Sequence, residues 1–76
     1  SDMCIRYRVV GGGKLSLAQV ANQVRAVGEI MALNDYLLRF KVDNYDITLF
    51  VDARAIVKGT QDETVARGLY AKYVGT

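Results

Sequence analysis

The stretch that decides the fold runs from residue 36 to residue 75 and reads YLLRFKVDNYDITLFVDARAIVKGTQDETVARGLYAKYVG. Its first part contains LLRFKVD (37–43) and DITLFV (46–51), and both segments alternate between apolar and polar residues. Strands with one buried face have this pattern. A shorter β segment, RAIVK, follows at 54–58, and a helical pattern begins at residue 60. The stretch therefore predicts three strands followed by a helix.

The helix predicted at the end of this stretch begins with a capping box. The Thr60 hydroxyl is expected to accept from the Glu63 amide, while the Glu63 carboxylate accepts from the Thr60 amide. Its apolar residues recur at helical spacing: Val65, Ala66, Leu69, Tyr70 and Tyr73. Such a stripe needs an apolar surface to cover, and the alternating strands offer one.

The first half of the chain predicts a strand, a loop, a second helix and another strand. Residues 3–10 alternate like a half-buried strand, and the segment GGGK (11–14) matches neither nucleotide-binding glycine pattern, so we interpret it as a plain loop. A capping box of Ser16 and Gln19 begins the helix, and Gly28 suits the left-handed position after its end. The apolar face of this helix is expected to contain Leu17, Val20, Ala21, Val24 and Val27. The run at 29–33 is a short apolar strand.

The predicted element order is β-α-β-β-β-β-α, an α+β fold in one small domain over residues 3–75. Both helices are expected on one face of an antiparallel sheet, because nothing else can bury their apolar sides. The halves of the TATA-binding protein have the same element order, a topological analogy that carries no function. The predicted core contains Ile5, Tyr7, Val9, Val24, Leu38, Phe40, Val42, Leu49 and Leu69. At Asp52-Ala53 the glycine that favours a positive φ is missing, so we expect another turn type and leave the register open.

Composition excludes several classes of site. The 76 residues carry a net charge of +2, no histidine and one cysteine, Cys4. One cysteine forms no internal disulfide, and we interpret Cys4 as an ordinary strand residue. No catalytic or metal-binding set is predicted, and no cofactor is expected in this chain. No apolar run approaches the ~20 residues of a membrane span. Without a disulfide or a targeting signal, the cytoplasm is the expected compartment.

The predicted wet face of the sheet gathers basic residues around an aromatic one. Strand alternation places Arg6, Arg8, Arg39 and Lys41 there, together with Phe50. A surface of this kind suits either a protein partner or a nucleic acid. Because charge is nearly balanced and stacking aromatics are scarce, we favour protein docking. We predict these five residues as a partner-binding site.

The same residues that predict the fold also resemble a known family. The segments that carry the resemblance are LLRFKVD (37–43), AIVKGT (55–60), Asp62 with VAR (65–67), and LYAKYVG (69–75). With them the sequence resembles the C-terminal extension of some bacterial ThiF/MoeB/HesA-type proteins, relatives of ubiquitin-activating enzymes. The resemblance spans about residues 4–75. Two positions depart from it: Ile5 replaces the glycine of a Cys-Gly-Arg segment, and Asp52-Ala53 replaces an Asp-Gly hairpin.

The resemblance implies a function by association with an enzyme. Such enzymes adenylate the C-terminal glycine of ubiquitin-like sulfur carriers for thiamine or molybdenum-cofactor (molybdopterin) synthesis, with ATP, magnesium and often zinc bound in the catalytic domain. It implies that this chain is a non-catalytic accessory domain that docks its own catalytic domain, a second copy or the sulfur carrier. The chain is not expected to be the carrier, which ends in Gly-Gly where this sequence reads Val-Gly-Thr. The alternative is an independent nucleic-acid-binding module that uses the basic face.

Overall fold

The computed structural model describes residues 4–8 and 16–74, and the side chains of Cys4, Tyr7 and Arg8 lie outside this description. Strands and helices follow one another as β1 Cys4–Arg8, α1 Leu17–Arg25, β2 Glu29–Leu33, β3 Leu37–Val42, β4 Tyr45–Phe50, β5 Arg54–Lys58 and α2 Glu63–Leu69, after which Tyr70–Val74 forms a π-helical turn. The α+β fold is confirmed. No helix in the described ranges is long and apolar enough to cross a membrane.

The five strands form a single sheet in the order β1-β5-β4-β3-β2, and every neighbouring pair is antiparallel. Strand β4 lies at the centre. Its Leu49 is opposite Leu38 of β3 and Ala55 of β5, which settles the hairpin register that the sequence left open. Residues directly opposite one another point to the same side of the sheet, so this register determines both faces.

Both helices lie against the same face of the sheet. Their inward residues and those of the strands form one buried cluster: Leu17, Val20, Ala21, Val24, Leu38, Phe40, Val42, Ile47, Leu49, Ala55, Val57, Ala66, Leu69, Tyr70, Tyr73 and Val74. Ile5 is partly buried against this cluster. Two members of the predicted core, the Tyr7 side chain and Val9, lie outside the described residues.

Helix α1 begins as predicted and ends differently. The Ser16 hydroxyl accepts from the Gln19 amide at 3.3 Å. The helix stops at Arg25, however, so Val27 does not extend the apolar stripe and is 60% exposed. Gly28 is not in the left-handed conformation that its predicted position required. Glycine is needed at this position because the backbone of β3 lies close to it, and a Cβ there would overlap the carbonyl oxygen of Lys41.

Helix α2 begins two residues later than the predicted capping box. Its N-cap is Asp62, whose carboxylate accepts from the Thr64 amide at 2.8 Å. Thr60 is buried, and its hydroxyl accepts from the Asp62 amide at 3.0 Å. Because that hydroxyl is bound within the loop before the helix, the capping role passes to Asp62.

The turn between β4 and β5 also differs from its prediction. Ala53 has φ = 72° and is 1% exposed, although its sequence suggested a turn without a positive φ. The Ala53 amide donates to the Phe50 carbonyl at 3.0 Å, which closes the turn. Alanine therefore occupies a backbone conformation that favours glycine.

Candidate functional site on the outer face of the sheet

The helices leave one side of the sheet uncovered, and we call this side the outer face. Cross-strand pairing sets its residues in two lines that run across the sheet. One line reads Arg6, Ile56, Thr48, Arg39, Ala32, and the other contains Lys58, Asp46, Lys41, Glu29. Beside the first line, next to the β4–β5 turn, lie Leu37, Phe50 and Arg54. The outer face therefore combines an apolar part with a strongly charged part.

The apolar part consists of Leu37, Phe50 and Ile56, which are all half-buried and outside the core cluster. Leu37 and Phe50 are directly opposite each other on neighbouring strands. The guanidinium carbon of Arg54 lies 4.9 Å from the centre of the Phe50 ring, a cation–π arrangement. Phe50 thus lies on the predicted face but is partly covered by a neighbour that the sequence prediction did not include.

The strongest electrostatic contact on this face joins Arg39 and Asp46. Arg39 donates twice to the carboxylate, from Nε at 3.0 Å and from Nη2 at 2.6 Å. These hydrogen bonds lower the pKa of Asp46 below its ordinary value, against the opposing effect of partial burial. The positive charges of Lys41 and Lys58 lower this pKa as well. Asp46 is therefore held ionised, and it fixes the orientation of Arg39.

A second ion pair lies where β5 begins. Arg54 Nε is 2.8 Å from a carboxylate oxygen of Asp52, and both side chains are about half exposed. The Asp52 carboxylate also accepts from the Arg54 amide at 3.3 Å. Arg54 is thus held between an acidic turn residue and the Phe50 ring.

Basic residues outnumber acidic ones on this surface. Its described side chains include five basic residues, Arg6, Arg39, Lys41, Arg54 and Lys58, against three acidic ones, Glu29, Asp46 and Asp52. Arg6 and Arg39 belong to the same line but are three strand spacings, about 14 Å, apart. The basic residues are spread over the face and form no single pocket.

The structure places Arg6, Arg39, Lys41 and Phe50 on the predicted face. Arg8 belongs to β1, opposite Arg54, but its side chain lies outside the described part of the chain. Sequence reasoning missed Arg54 and Lys58. The alternation of RAIVK (54–58) indicates that Arg54 and Lys58 share one face. Only the pairing with β4 determines that Ala55 and Val57 face the core, which places Arg54 and Lys58 on the outer face.

Two other surfaces adjoin the outer face. A shallow depression of about 410 Å³ lies at the β3–β4 turn, lined by Lys41, Asp43, Asn44, Tyr45, Asp46, Lys58 and Gly59. Exposed large apolar residues are concentrated around edge strand β2: Val27, Met31, Leu33 and Tyr36. Within the described ranges no three acidic or cysteine side chains are grouped to hold a metal ion.

The observed elements define a class: a small α+β domain whose antiparallel sheet has one helix-covered face and one open, basic face. No family model matches the chain, and no solved structure matches it. Over 59 residues, 78% of the chain, the sequence is 37% identical to Sulfur carrier protein ThiS adenylyltransferase of Bacillus subtilis (strain 168). The chain spans only 18% of that protein. This similarity supports a ThiF/MoeB-like relationship, as the sequence resemblance predicted.

Proposed function

We propose that this chain is a non-catalytic accessory domain corresponding to the C-terminal extension of a ThiF/MoeB/HesA-type adenylyltransferase, and that it acts by protein–protein docking. One observation carries the proposal: the match covers 78% of this chain but only 18% of the Bacillus enzyme. The chain is thus the counterpart of a part of such an enzyme, and its role is to serve the remaining part.

The sequence supports a role without chemistry of its own. It has no histidine, no paired cysteine motif and no glycine pattern of the kind that cradles nucleotide phosphates. In this proposal ATP and magnesium, with zinc where present, belong to the associated catalytic domain in the cytoplasm. The domain contributes binding surface, and the open face of the sheet is the surface available for it.

Three partners fit this role: the catalytic domain of the adenylyltransferase, a second copy of the chain, and the ubiquitin-like sulfur carrier. The Bacillus relative is by name an adenylyltransferase of the sulfur carrier ThiS. For this chain, we propose from that name a role in activating a sulfur carrier; thiamine and molybdopterin synthesis are the two pathways that the family resemblance implies.

The test uses Bacillus ThiS adenylyltransferase without its 59 matched residues. Calorimetry measures whether this chain binds the shortened enzyme or ThiS, and sedimentation measures whether it binds itself. We expect association with at least one of them below about 100 μM, a free energy of roughly −5.5 kcal/mol. We expect no saturable ATP binding by the chain alone. Micromolar ATP binding, or no association with any of the three, would contradict the proposal.

An independent nucleic-acid-binding module is the second candidate, since basic residues exceed acidic ones on the outer face. Binding of this type weakens steeply with salt, because each neutralised phosphate releases a counterion. Affinity for a single-stranded oligonucleotide, measured across a salt series, tests this candidate directly.

A further inference from the structure

We infer that the outer face of the sheet binds a carboxylate-rich protein surface, with Leu37, Phe50 and Ile56 at the apolar part of the contact. The inference rests on the proposed docking function and adds the chemistry of the partner and the location of its binding surface. It follows from three features of the described residues: a half-buried apolar patch, oriented arginines, and basic side chains that form no ion pair.

The apolar patch provides the part of a contact from which water is excluded. Leu37, Phe50 and Ile56 lie on adjacent or nearly adjacent strands, and each is already half-buried by its neighbours. Little conformational entropy is therefore lost when a partner covers them. Protein interfaces commonly have such an aromatic and aliphatic centre with polar residues around it.

The charged residues around the patch are of two kinds. Arg39 and Arg54 are oriented by Asp46 and Asp52, and a guanidinium has five N–H donors, more than these hydrogen bonds use. By contrast, Arg6, Lys41 and Lys58 form no ion pair with another residue of the described ranges.

Lys41 and Lys58 also flank Asp46 from the two neighbouring strands. Together with Arg39 they make three cations against two carboxylates, Asp46 and Glu29, in this part of the face. A partner that supplies additional carboxylates complements this part of the face, and long-range attraction would accelerate its association.

A protein partner fits these features better than a nucleic acid does. Single-stranded nucleic acids stack their bases on open aromatic rings. Among the described residues, this face carries the aromatic ring of Phe50. That ring is already in contact with the Arg54 guanidinium. The carboxylates Glu29, Asp46 and Asp52 are distributed among the cations and would repel a continuous phosphate backbone. A protein can place its acidic side chains between them and its apolar side chains on the patch.

The experiment measures fluorescence anisotropy of a labelled glutamate-rich peptide with interspersed leucines. A lysine-rich peptide of the same length and an oligothymidine are the comparison probes. We expect the glutamate-rich peptide to bind most tightly of the three at equal salt. Lys58→Glu and Phe50→Ala should each weaken its binding about tenfold.

Arg25→Glu is the matched control, because it makes the same charge change at the end of helix α1, which is packed on the other face of the sheet. It should leave peptide binding unchanged. Thermal melts of every variant separate a loss of binding from a loss of fold, and Lys41→Glu provides a second charge reversal if Lys58→Glu does not fold. Tighter binding of oligothymidine, or equal weakening by the control, would overturn the inference.

A second comparison separates this inference from the proposed function. The same variants, with Met31→Lys at the exposed β2 edge, are titrated against the shortened adenylyltransferase. If Met31→Lys abolishes that binding and Lys58→Glu does not, docking stands and the outer-face inference is wrong. If the enzyme, the carrier and a second copy all fail to bind while the peptide shows the expected pattern, the proposed function is wrong and the inference stands.

Discussion

The hairpin between β4 and β5 allows the same substitution to be made at two buried alanines with opposite backbone conformations. Ala53 is 1% exposed with φ = 72°, and Ala55 is 2% exposed within strand β5. Replacement of either by glycine removes one buried methyl group, worth about 0.8 kcal/mol. It also adds freedom to the unfolded chain, worth roughly 0.5–1 kcal/mol. From these two terms, Ala55→Gly should destabilise the domain by about 1.3–1.8 kcal/mol.

Ala53→Gly has a compensating gain that Ala55→Gly lacks. A left-handed conformation costs an L-residue roughly 1–2 kcal/mol, and glycine removes that cost. The net effect of Ala53→Gly should therefore lie within about 0.8 kcal/mol of zero. The two variants should differ by about 1–2 kcal/mol although the chemical change is identical.

Urea denaturation followed by circular dichroism measures this difference. For a domain of this size the dependence of unfolding free energy on urea is about 1 kcal/mol/M, so the two midpoints should lie about 1–2 M apart. Equal m values would show that both variants unfold from the same kind of native state. If Ala53→Gly is as destabilising as Ala55→Gly, Ala53 is not strained and the positive φ argument is wrong.

Three further predictions concern the core, the glycines and the outer-face ion pair. Leu49→Ala should lower the free energy of unfolding by roughly 2–5 kcal/mol. Thr48→Ala, on the opposite face of the same strand, should lower it by less than about 1 kcal/mol. Similar urea midpoints for the two variants would refute the assignment of faces. Gly28→Ala should destabilise the domain by about 1–3 kcal/mol, because the added methyl group overlaps with β3. Gly68→Ala should stabilise helix α2 by about 0.5–1 kcal/mol, because the space around that position is open. Thermal melts of both variants check the contrast. Because the folded-state pKa of Asp46 is lowered, its stabilising contribution is complete above its unfolded pKa of about 4 and is lost as pH falls through the folded value. The midpoint difference between wild type and Asp46→Asn should thus shrink in acid, and a difference independent of pH would contradict this.

The local patterns of the sequence determined which elements form and which side of each is buried. Alternation in β3 and β4 is sufficient to place Leu38, Phe40 and Leu49 in the core, where all three have no exposed surface. The helical stripes and the Ser16 cap are equally local, because a period of two or of 3.6 residues is contained within one segment. The similarity to the adenylyltransferase was likewise present in the sequence.

Only the tertiary structure decided the features that depend on distant segments. Whether Thr60 or Asp62 caps helix α2 depends on the loop that enters it. The need for glycine at position 28 arises from a strand that lies more than ten residues further along the chain. Strand alternation also leaves open which strands are neighbours. The pairing of β5 with both β1 and β4 is what brings Lys58 to the outer face beside Asp46, since side-chain facing follows from register and register follows from the whole sheet.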